Sequence, residues 1–173
     1  GTYLGDIVVQ LFEDKAPLAV ERFITLSTRR ILANGTPVAT GLPFYTNAPV
    51  HRVIDGFMMQ TGDPVNRDGT GGSPMPDFED EFDDALTFAG EGVLAMANSG
   101  ADTNNSQFFI TEAETSWLNN AHTIFGQVIS GMDTLDAIMA LPTDDNDAPF
   151  EVPRLASVQI FDSPQDAVVR LQA

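Results

Sequence analysis

His51-Arg52-Val53-Ile54-Asp55-Gly56-Phe57-Met58-Met59-Gln60-Thr61-Gly62-Asp63 sets two short apolar runs on either side of an Asp-Gly pair. β-Branched and large apolar residues bounded by turn formers read as strands, and Asp-Gly suits a tight connection between them. Successive strand residues point to opposite faces, so Arg52 projects away from His51 and Val53. A hairpin across Asp55-Gly56 brings Arg52 and Gln60 to one face beside Phe57 or Met58. A fixed guanidinium, a neutral amide and apolar surface together suit a neutral but polar chain. A plainer reading stays open, in which Arg52 pairs with a nearby carboxylate and Phe57 and Met58 are core.

Working outward, the same strand signature recurs at Asp6 to Phe12, Gly92 to Ala97, Gln107 to Thr111, Thr123 to Val128 and Val152 to Phe161. Between the first two, the period changes. Ala16, Val20, Phe23 and Ile24 fall at i, i+4, i+7 and i+8, Pro17 suits a first helical turn, and Glu21, Arg22 and Arg29 are left to face water. Leu135, Ile138 and Met139 share a face of a second helix, Met132 to Leu141, which Pro142 ends. Gly35 to Pro49 reads as a long surface loop, and Thr61 to Gly90, rich in Gly, Pro and acid, as loop rather than core. Many short strands and two helices predict a mainly β fold: an antiparallel sheet closed on itself, with helices over its open ends. Residues 1–163 are expected to form this domain, and 164–173 a C-terminal tail or short helix.

With 173 residues and 43% hydrophobic content, the chain is expected to form one domain with a full core. Eight Lys and Arg against 25 Asp and Glu give a net charge of -17, which repels phosphate backbones and anionic lipid. Nucleic acid is therefore not an expected partner. No run approaches the roughly 18 apolar residues of a membrane span, so no membrane insertion is expected. The absence of cysteine excludes disulfides and thiolate chemistry. The chain opens on Gly1 and enters a strand pattern within a few residues, which leaves open a removed leader or a trimmed start; with the acidity and the absent cysteine, a periplasmic or exported location stands slightly ahead of a cytoplasmic one.

Two further clusters carry polar chemistry. Met96-Ala97-Asn98-Ser99-Gly100-Ala101-Asp102-Thr103-Asn104-Asn105-Ser106-Gln107-Phe108-Phe109-Ile110 sets small polar residues between two strands, where Asn98 can present hydrogen-bonding groups to an extended peptide. One of Phe108 and Phe109 is expected in the core and the other facing outward, exposed beside those groups. Trp117-Leu118-Asn119-Asn120-Ala121-His122-Thr123-Ile124-Phe125-Gly126 places the single Trp in apparent loop. No Gly-x-Ser-x-Gly elbow supports a serine hydrolase. Gly69-Thr70-Gly71-Gly72 lacks nucleotide-site spacing, and the acidic runs Asp77 to Asp84 and Asp144 to Asp147 lack EF-hand spacing, so all three read as loops. Asn34 and Asn104 begin sequons, the second inside the polar loop.

Together these motifs resemble the cyclophilin family, in order, from about Gly5 to Phe161. They are the His51 to Asp63 stretch, Gly69-Thr70-Gly71-Gly72, Phe78-Glu79-Asp80-Glu81-Phe82, Met96-Ala97-Asn98, the segment from Asn104 to Ile110, and that from Trp117 to Gly126. The resemblance implies an eight-stranded antiparallel barrel with two capping helices and an external groove. It implies peptidyl-prolyl cis-trans isomerase (rotamase) activity on proline-containing polypeptides, assisting protein folding, by a monomer that uses no cofactor or metal. Arg52 matches the catalytic arginine, and Gln60 and Asn98, which match the groove that holds the substrate backbone, are expected to act with it in catalysis. Phe57, Met58, Phe109, Leu118 and His122 match the proline pocket, Ala97 and Gln107 the groove that holds the substrate backbone, and His51 a position beside the arginine. Trp117 matches the tryptophan linked to cyclosporin binding. Val50, preceded by a longer loop with Phe44, Tyr45 and Pro49, stands where the family commonly has an aromatic residue, and is expected to reshape one groove wall. A peptide-binding or chaperone module using the same groove with little turnover is the alternative; it could dispense with Arg52.

Overall fold

A computed structural model of the chain describes residues 2–162 and 165–173. The elements run β1 (Tyr3–Leu11), α1 (Pro17–Thr28), β2 (Arg30–Ile31), β3 (Pro37–Val38), β4 (Arg52–Ile54), β5 (Met58–Thr61), β6 (Val93–Met96), β7 (Phe108–Thr111), a 3-10 turn (Ser116–Leu118), β8 (Ile124–Ser130), α2 (Met132–Met139), β9 (Arg154–Asp162) and β10 (Gln165–Gln172). Eight strands form one curled antiparallel sheet in the order β4-β5-β7-β6-β8-β1-β10-β9. The short strands β2 and β3 make a separate ribbon.

Period-two alternation divides the sheet cleanly. Met59, Leu94, Met96, Phe108, Ile110 and Phe125 point inward to a core that also takes Ile7, Val9 and Leu11 of β1. Helix α1 adds Ala19, Val20, Phe23 and Leu26 to it, and α2 adds Leu135, Ile138 and Met139. The rings of Phe23, Tyr45 and Phe108 meet with centroids 5.4–5.7 Å apart, tilted or edge-on as aromatic pairs prefer. Met58, Val93, Ala95, Phe109 and Ile124 point the other way, into a second apolar cluster with Phe88.

Four expectations are corrected. The sheet is an open half-barrel. Its end strands β4 and β9 form no ladder and are joined through one bridge, Pro49–Arg154, flanked by Val50 N–H to Pro153 O (2.8 Å) and Asn47 N–H to Leu155 O (2.8 Å). The next rung would need an N–H from Pro153 to Val50 O, which proline cannot donate, so the pairing stops there. Residues 165–172 are neither tail nor helix: they form β10, which pairs with β1 and β9. The expected boundary between 163 and 164 lies outside the described residues.

Arg22 does not face water. It is 9% exposed and donates to Pro76 O (2.6 Å) and Asn105 O (3.2 Å), with its guanidinium 4.9 Å from the Phe78 ring centre. Burial holds its pKa below the ordinary arginine value. Nor are the two long loops purely surface. Tyr45 and Ala48 are buried in the core, with the Tyr45 hydroxyl donating to Ser106 O (2.7 Å), and Phe88 is fully buried within the 61–90 stretch. Among the described residues, no helix is long and apolar enough to cross a membrane.

Candidate active site

The β4–β5 hairpin registers Arg52 opposite Gln60 and Ile54 opposite Met58. Gly56, at φ +70°, supplies the left-handed turn residue, and its N–H donates to Glu112 Oε2 (2.6 Å). One strand further, Gln60 pairs with Phe109, and Phe109 with Ala95. The ladder therefore sets a guanidinium, an amide and an aromatic ring side by side on the outer face.

Phe109 is held from two directions. Phe88 stacks on it at 5.9 Å with an interplanar angle of 11°, and the His122 ring meets it edge-on at 5.3 Å. It points outward as expected, yet it is 4% exposed, because the 82–90 loop brings Phe88 across it. His122 Nδ1 lies 2.9 Å from Met96 O. That contact requires a proton on Nδ1, so the 3.3 Å approach of Asn98 Nδ2 to the same nitrogen is not a hydrogen bond in this tautomer. Asn98 instead donates to Ala121 O (2.8 Å) and accepts from Gly100 N–H (3.2 Å), which ties the 98–100 turn to the 119–122 loop.

Two cavities open along this face. The apolar one, about 190 Å³, is lined by Arg52, Phe57, Met58, Gln60, Ala97, Asn98, Phe109, Leu118 and His122. Nine of the twelve sequence-selected residues thus come together. A second cavity of about 420 Å³ shares Gln60, Ala97 and Asn98 and extends between the 69–73 loop and the 98–107 loop, with Gln107 in its wall. Gln60 Nε2 donates to Gln107 Oε1 (2.9 Å), and Gln107 Nε2 to Gly69 O (2.8 Å) and Gly71 O (2.7 Å). This relay fixes both amides and leaves Gln60 Oε1 as its free acceptor.

The Gly69 loop is wound on Asp63. The buried carboxylate accepts from Val65, Asn66, Gly69 and Gly71 N–H groups at 2.9–3.1 Å. His51 packs under this loop and lines neither cavity: a Cβ on Gly69 would meet His51 Nε2 at 2.6 Å. Its Nδ1 is buried without a hydrogen-bond partner, and burial holds its pKa below 6.5.

Trp117 also lies outside both cavities. It is 65% exposed on the 3-10 turn, with its ring edge-on to Phe57 at 5.6 Å. No residue from 44 to 50 lines either cavity, but the Tyr45 hydroxyl holds the carbonyl of Ser106, which lines the second one. Asn104 is fully buried and donates to Phe78 O and Asp80, which closes that sequon to modification in the folded chain.

Sequence reasoning missed Phe88, an isolated aromatic in an aperiodic stretch, and Asp147. The Asp147 carboxylate sits 3.9 Å from Arg52 Nε, while its carbonyl accepts from Val53 N–H (2.8 Å). Arg52 therefore lines the cavity and faces a carboxylate at the same time. Among the described residues, no group of three or more His, Asp or Glu is placed to hold a metal ion.

A family model for cyclophilin-type peptidyl-prolyl cis-trans isomerases matches residues 1–160. A peptidyl-prolyl cis-trans isomerase-like protein of Dictyostelium discoideum is 42% identical over 165 residues, covering 94% of each chain. A probable peptidyl-prolyl cis-trans isomerase of Mycobacterium leprae is 44% identical over 92% of this chain and 88% of its own. A peptidyl-prolyl cis-trans isomerase of Arabidopsis thaliana is 44% identical over 92% of this chain, which spans only 23% of that longer relative. The crystal structure of a Cryptosporidium parvum cyclophilin-type isomerase superimposes with a TM-score of 0.77 at 30% identity, covering 98% of this chain and 93% of its own. A second structure of that protein, in the presence of the dipeptide Ala-Pro, gives 0.74 at 35% identity, covering 86% and 88%.

Proposed function

The chain belongs to the cyclophilin-type peptidyl-prolyl cis-trans isomerase family, and from that premise we propose that the apolar cavity binds the proline ring while Arg52 promotes rotation about the preceding peptide bond. The observation that carries this reading is the convergence of one guanidinium, two amides and an apolar floor on a single cavity of about 190 Å³. The Ala-Pro dipeptide present with the Cryptosporidium relative supports the same ligand class.

An amide bond resists rotation by about 18–20 kcal/mol because nitrogen delocalises its lone pair into the carbonyl. In an X–Pro bond the uncatalysed exchange takes on the order of 10–100 s. Twisting returns the lone pair to nitrogen. A donor beside that nitrogen binds the twisted state more strongly than the planar one, and this difference lowers the barrier. Arg52 suits the task because its guanidinium stays charged and offers a rigid set of donors. Met58, Phe57, Phe109 and Leu118 hold the ring still, so that rotation is confined to the acyl side. Gln60, locked by Gln107, keeps an acceptor beside Arg52. The Asn98 side chain is engaged by Ala121 and Gly100, which leaves its main chain to meet the peptide. No proton transfer or covalent intermediate is part of this sequence.

Trp117 and Phe57 form an exposed aromatic edge at the cavity rim, and we take this as the surface that cyclosporin covers. The reading treats the chain as a monomer acting on proline-containing polypeptides. Exchange of an Ala-Pro-Phe peptide, followed by NMR, tests it. Wild type accelerates exchange, cyclosporin blocks it, and Arg52→Ala loses on the order of 100-fold or more, the scale of one lost transition-state donor, with an unchanged circular dichroism spectrum. A folded Arg52→Ala protein that turns over normally removes Arg52 from the mechanism. Binding without acceleration by wild type assigns the groove to peptide capture instead.

A further inference from the structure

Between Glu21 and Asp55 the chain carries no acidic residue, although it holds 25 of them in all. The same stretch contributes Arg22, Arg29, Arg30 and Arg52. It forms the C-terminal half of α1, the β2–β3 ribbon and the loop before β4. In a chain of net charge -17 this is a local reversal of sign, and a surface built from it meets partners that the rest of the molecule repels.

Two of these cations are already engaged. Arg22 is buried on the carbonyls of Pro76 and Asn105, and Arg52 faces Asp147. Arg29 and Arg30 are exposed and, among the described residues, neither lies within ion-pair distance of a carboxylate. The Arg30 stem lies against Gly41, where a Cβ would meet its Cδ at 2.8 Å, next to Leu42, which is 69% exposed.

This basic end adjoins an apolar hollow. A cavity of about 160 Å³ is lined by Leu18, Glu21, Arg22, Thr25, Met75 and Phe78, none of which lines either cavity of the candidate active site. The Arg22 guanidinium lies 4.9 Å from the Phe78 ring centre, which fixes the floor. Thr25 leads from the hollow to Arg29, whose N–H donates to Thr25 O (2.8 Å). The turn of the ribbon closes on the opposite wall, since a Cβ on Gly35 would meet Pro74 O at 2.8 Å and Met75 Cα at 3.4 Å. Glu21, the one carboxylate in the lining, stands about two helical turns before Arg29.

We propose that this face docks an acidic segment of a partner protein, which inserts one apolar side chain into the hollow and sets two carboxylates against Arg29 and Arg30. The buried anchor supplies affinity, and the charges supply orientation and choice of partner. A nucleic acid fits less well, because its phosphates extend onto surface of the same sign. The face is separate from the reacting groups, so the proposal stands apart from the isomerase reading and gives the chain a second point of attachment that leaves the proline cavity free.

The test uses short proline-free peptides, each with a single Leu and a pair of Glu placed two, three or four residues before or after it. They are titrated into isotope-labelled protein and followed by NMR chemical shift. Companion peptides carry Lys for Glu, or Ala for Leu. At least one Glu peptide is expected to shift the amides of Thr25, Arg29, Arg30 and Met75 and to leave those of Arg52 and Phe109 in place. It should bind about 3–10-fold more tightly than its Lys counterpart, the scale of two exposed ion pairs. The general field of a chain with net charge -17 gives the opposite order, so the sign of this preference separates a local site from bulk charge. The preference shrinks as salt rises, reverses in the double variant Arg29→Gln/Arg30→Gln, and survives Arg67→Gln, which removes an exposed cation elsewhere. Replacing the Leu by Ala weakens binding on the order of 10-fold. Turnover of an Ala-Pro-Phe peptide is unchanged in the double variant. A Lys preference in wild type overturns the proposal, as does the lack of saturable shifts with every Glu peptide, or shifts centred on Arg52. An oligothymidylate that binds as well as the best Glu peptide overturns it in favour of an unselective anion site. Sedimentation of the protein alone covers the remaining occupant: a mass that grows with concentration, and does not in the double variant, assigns the face to a second copy of this chain instead.

Discussion

Phe108 and Phe109 are adjacent on β7 and meet opposite surroundings. Phe108 enters a core closed by two helices, where it meets Phe23 and Tyr45 edge-on. Phe109 enters a smaller cluster roofed by one loop residue, Phe88, and flanked by His122. Both are nearly inaccessible to water. The difference lies in what covers them: regular helices on one face, aperiodic loops on the other. A sheet face covered by loops can keep a concavity beside its apolar residues. A face covered by helices at native packing density cannot. The surface proposed to bind peptide is thus the less completely covered of two apolar faces.

Truncation on each face tests that contrast. Phe108→Ala opens a cavity in the main core and is expected to cost about 3–5 kcal/mol in denaturant unfolding, with turnover per folded molecule unchanged. Phe88→Ala is expected to cost somewhat less, because loops relax into the gap more readily than helices. It should also lower kcat/KM on the order of ten-fold, since Phe109 loses the ring that fixes the cavity floor. If Phe88→Ala destabilises without touching turnover, the two faces do not differ in function and the contrast breaks.

The faces are also linked. Helix α1 has Ala16 at its N-cap, whose side chain caps nothing. Its first N–H groups are satisfied from the loop on the other side, where Glu81 accepts from Leu18 N–H (2.9 Å) and Ala19 N–H (3.0 Å). Thr123 Oγ accepts from Glu81 N–H (3.0 Å), and Asp83 pairs with Lys15 (2.9 Å). Glu81→Ala is expected to cost about 1 kcal/mol, as for loss of a helix cap beside a favourable dipole. Faster amide exchange at Leu18 and Ala19 in that variant, with Phe23 and Leu26 unaffected, would sharpen the comparison by showing the loop stabilising the helix locally.

What could be read from the sequence follows where periodicity was strong. The strands of the hairpin, β6 to β8, and both helices were legible because alternation or a 3.6 period survived over their length. β10 was also written in alternation, with Ala167, Val169 and Leu171 buried, but Gln, Ala, Leu and Arg are good helix formers and masked it. Arg22 stands three residues after Ala19 and four before Leu26, on the buried side of α1. Charge argued it outward, and only the carbonyls of Pro76 and Asn105 and the Phe78 ring explain its place. The proline that halts closure of the sheet, Pro153, was present in the sequence, although its pairing with Val50 across the chain was not. In the site, Arg52, Met58, Gln60 and Phe109 were legible from strand register, whereas Phe57, Ala97, Asn98, Leu118 and His122 lie off the strands and were legible only through the motifs that contain them. Phe88 and Asp147 reach it from loops, where a sequence carries no register.

The smallest expected effect concerns the seam between the faces. His51 follows Val50 of the inner core and lies under the Gly69 loop that walls the second cavity. Burial depresses its pKa, and Nδ1 has no partner. The unfolded chain therefore takes up a proton near the ordinary value of 6.5, while the folded ring resists until lower pH. When the unfolded state binds more protons, stability rises with pH. The His51 contribution is thus present above pH 6.5 and is lost progressively as pH falls towards the folded pKa. Stability measured by denaturant between about pH 7.5 and 5.5 should slope downward on acidification in wild type, and less so in His51→Gln. An equal slope in the two proteins would mean that the folded ring gains its proton freely, with the Gly69 loop lifting from the core to admit it.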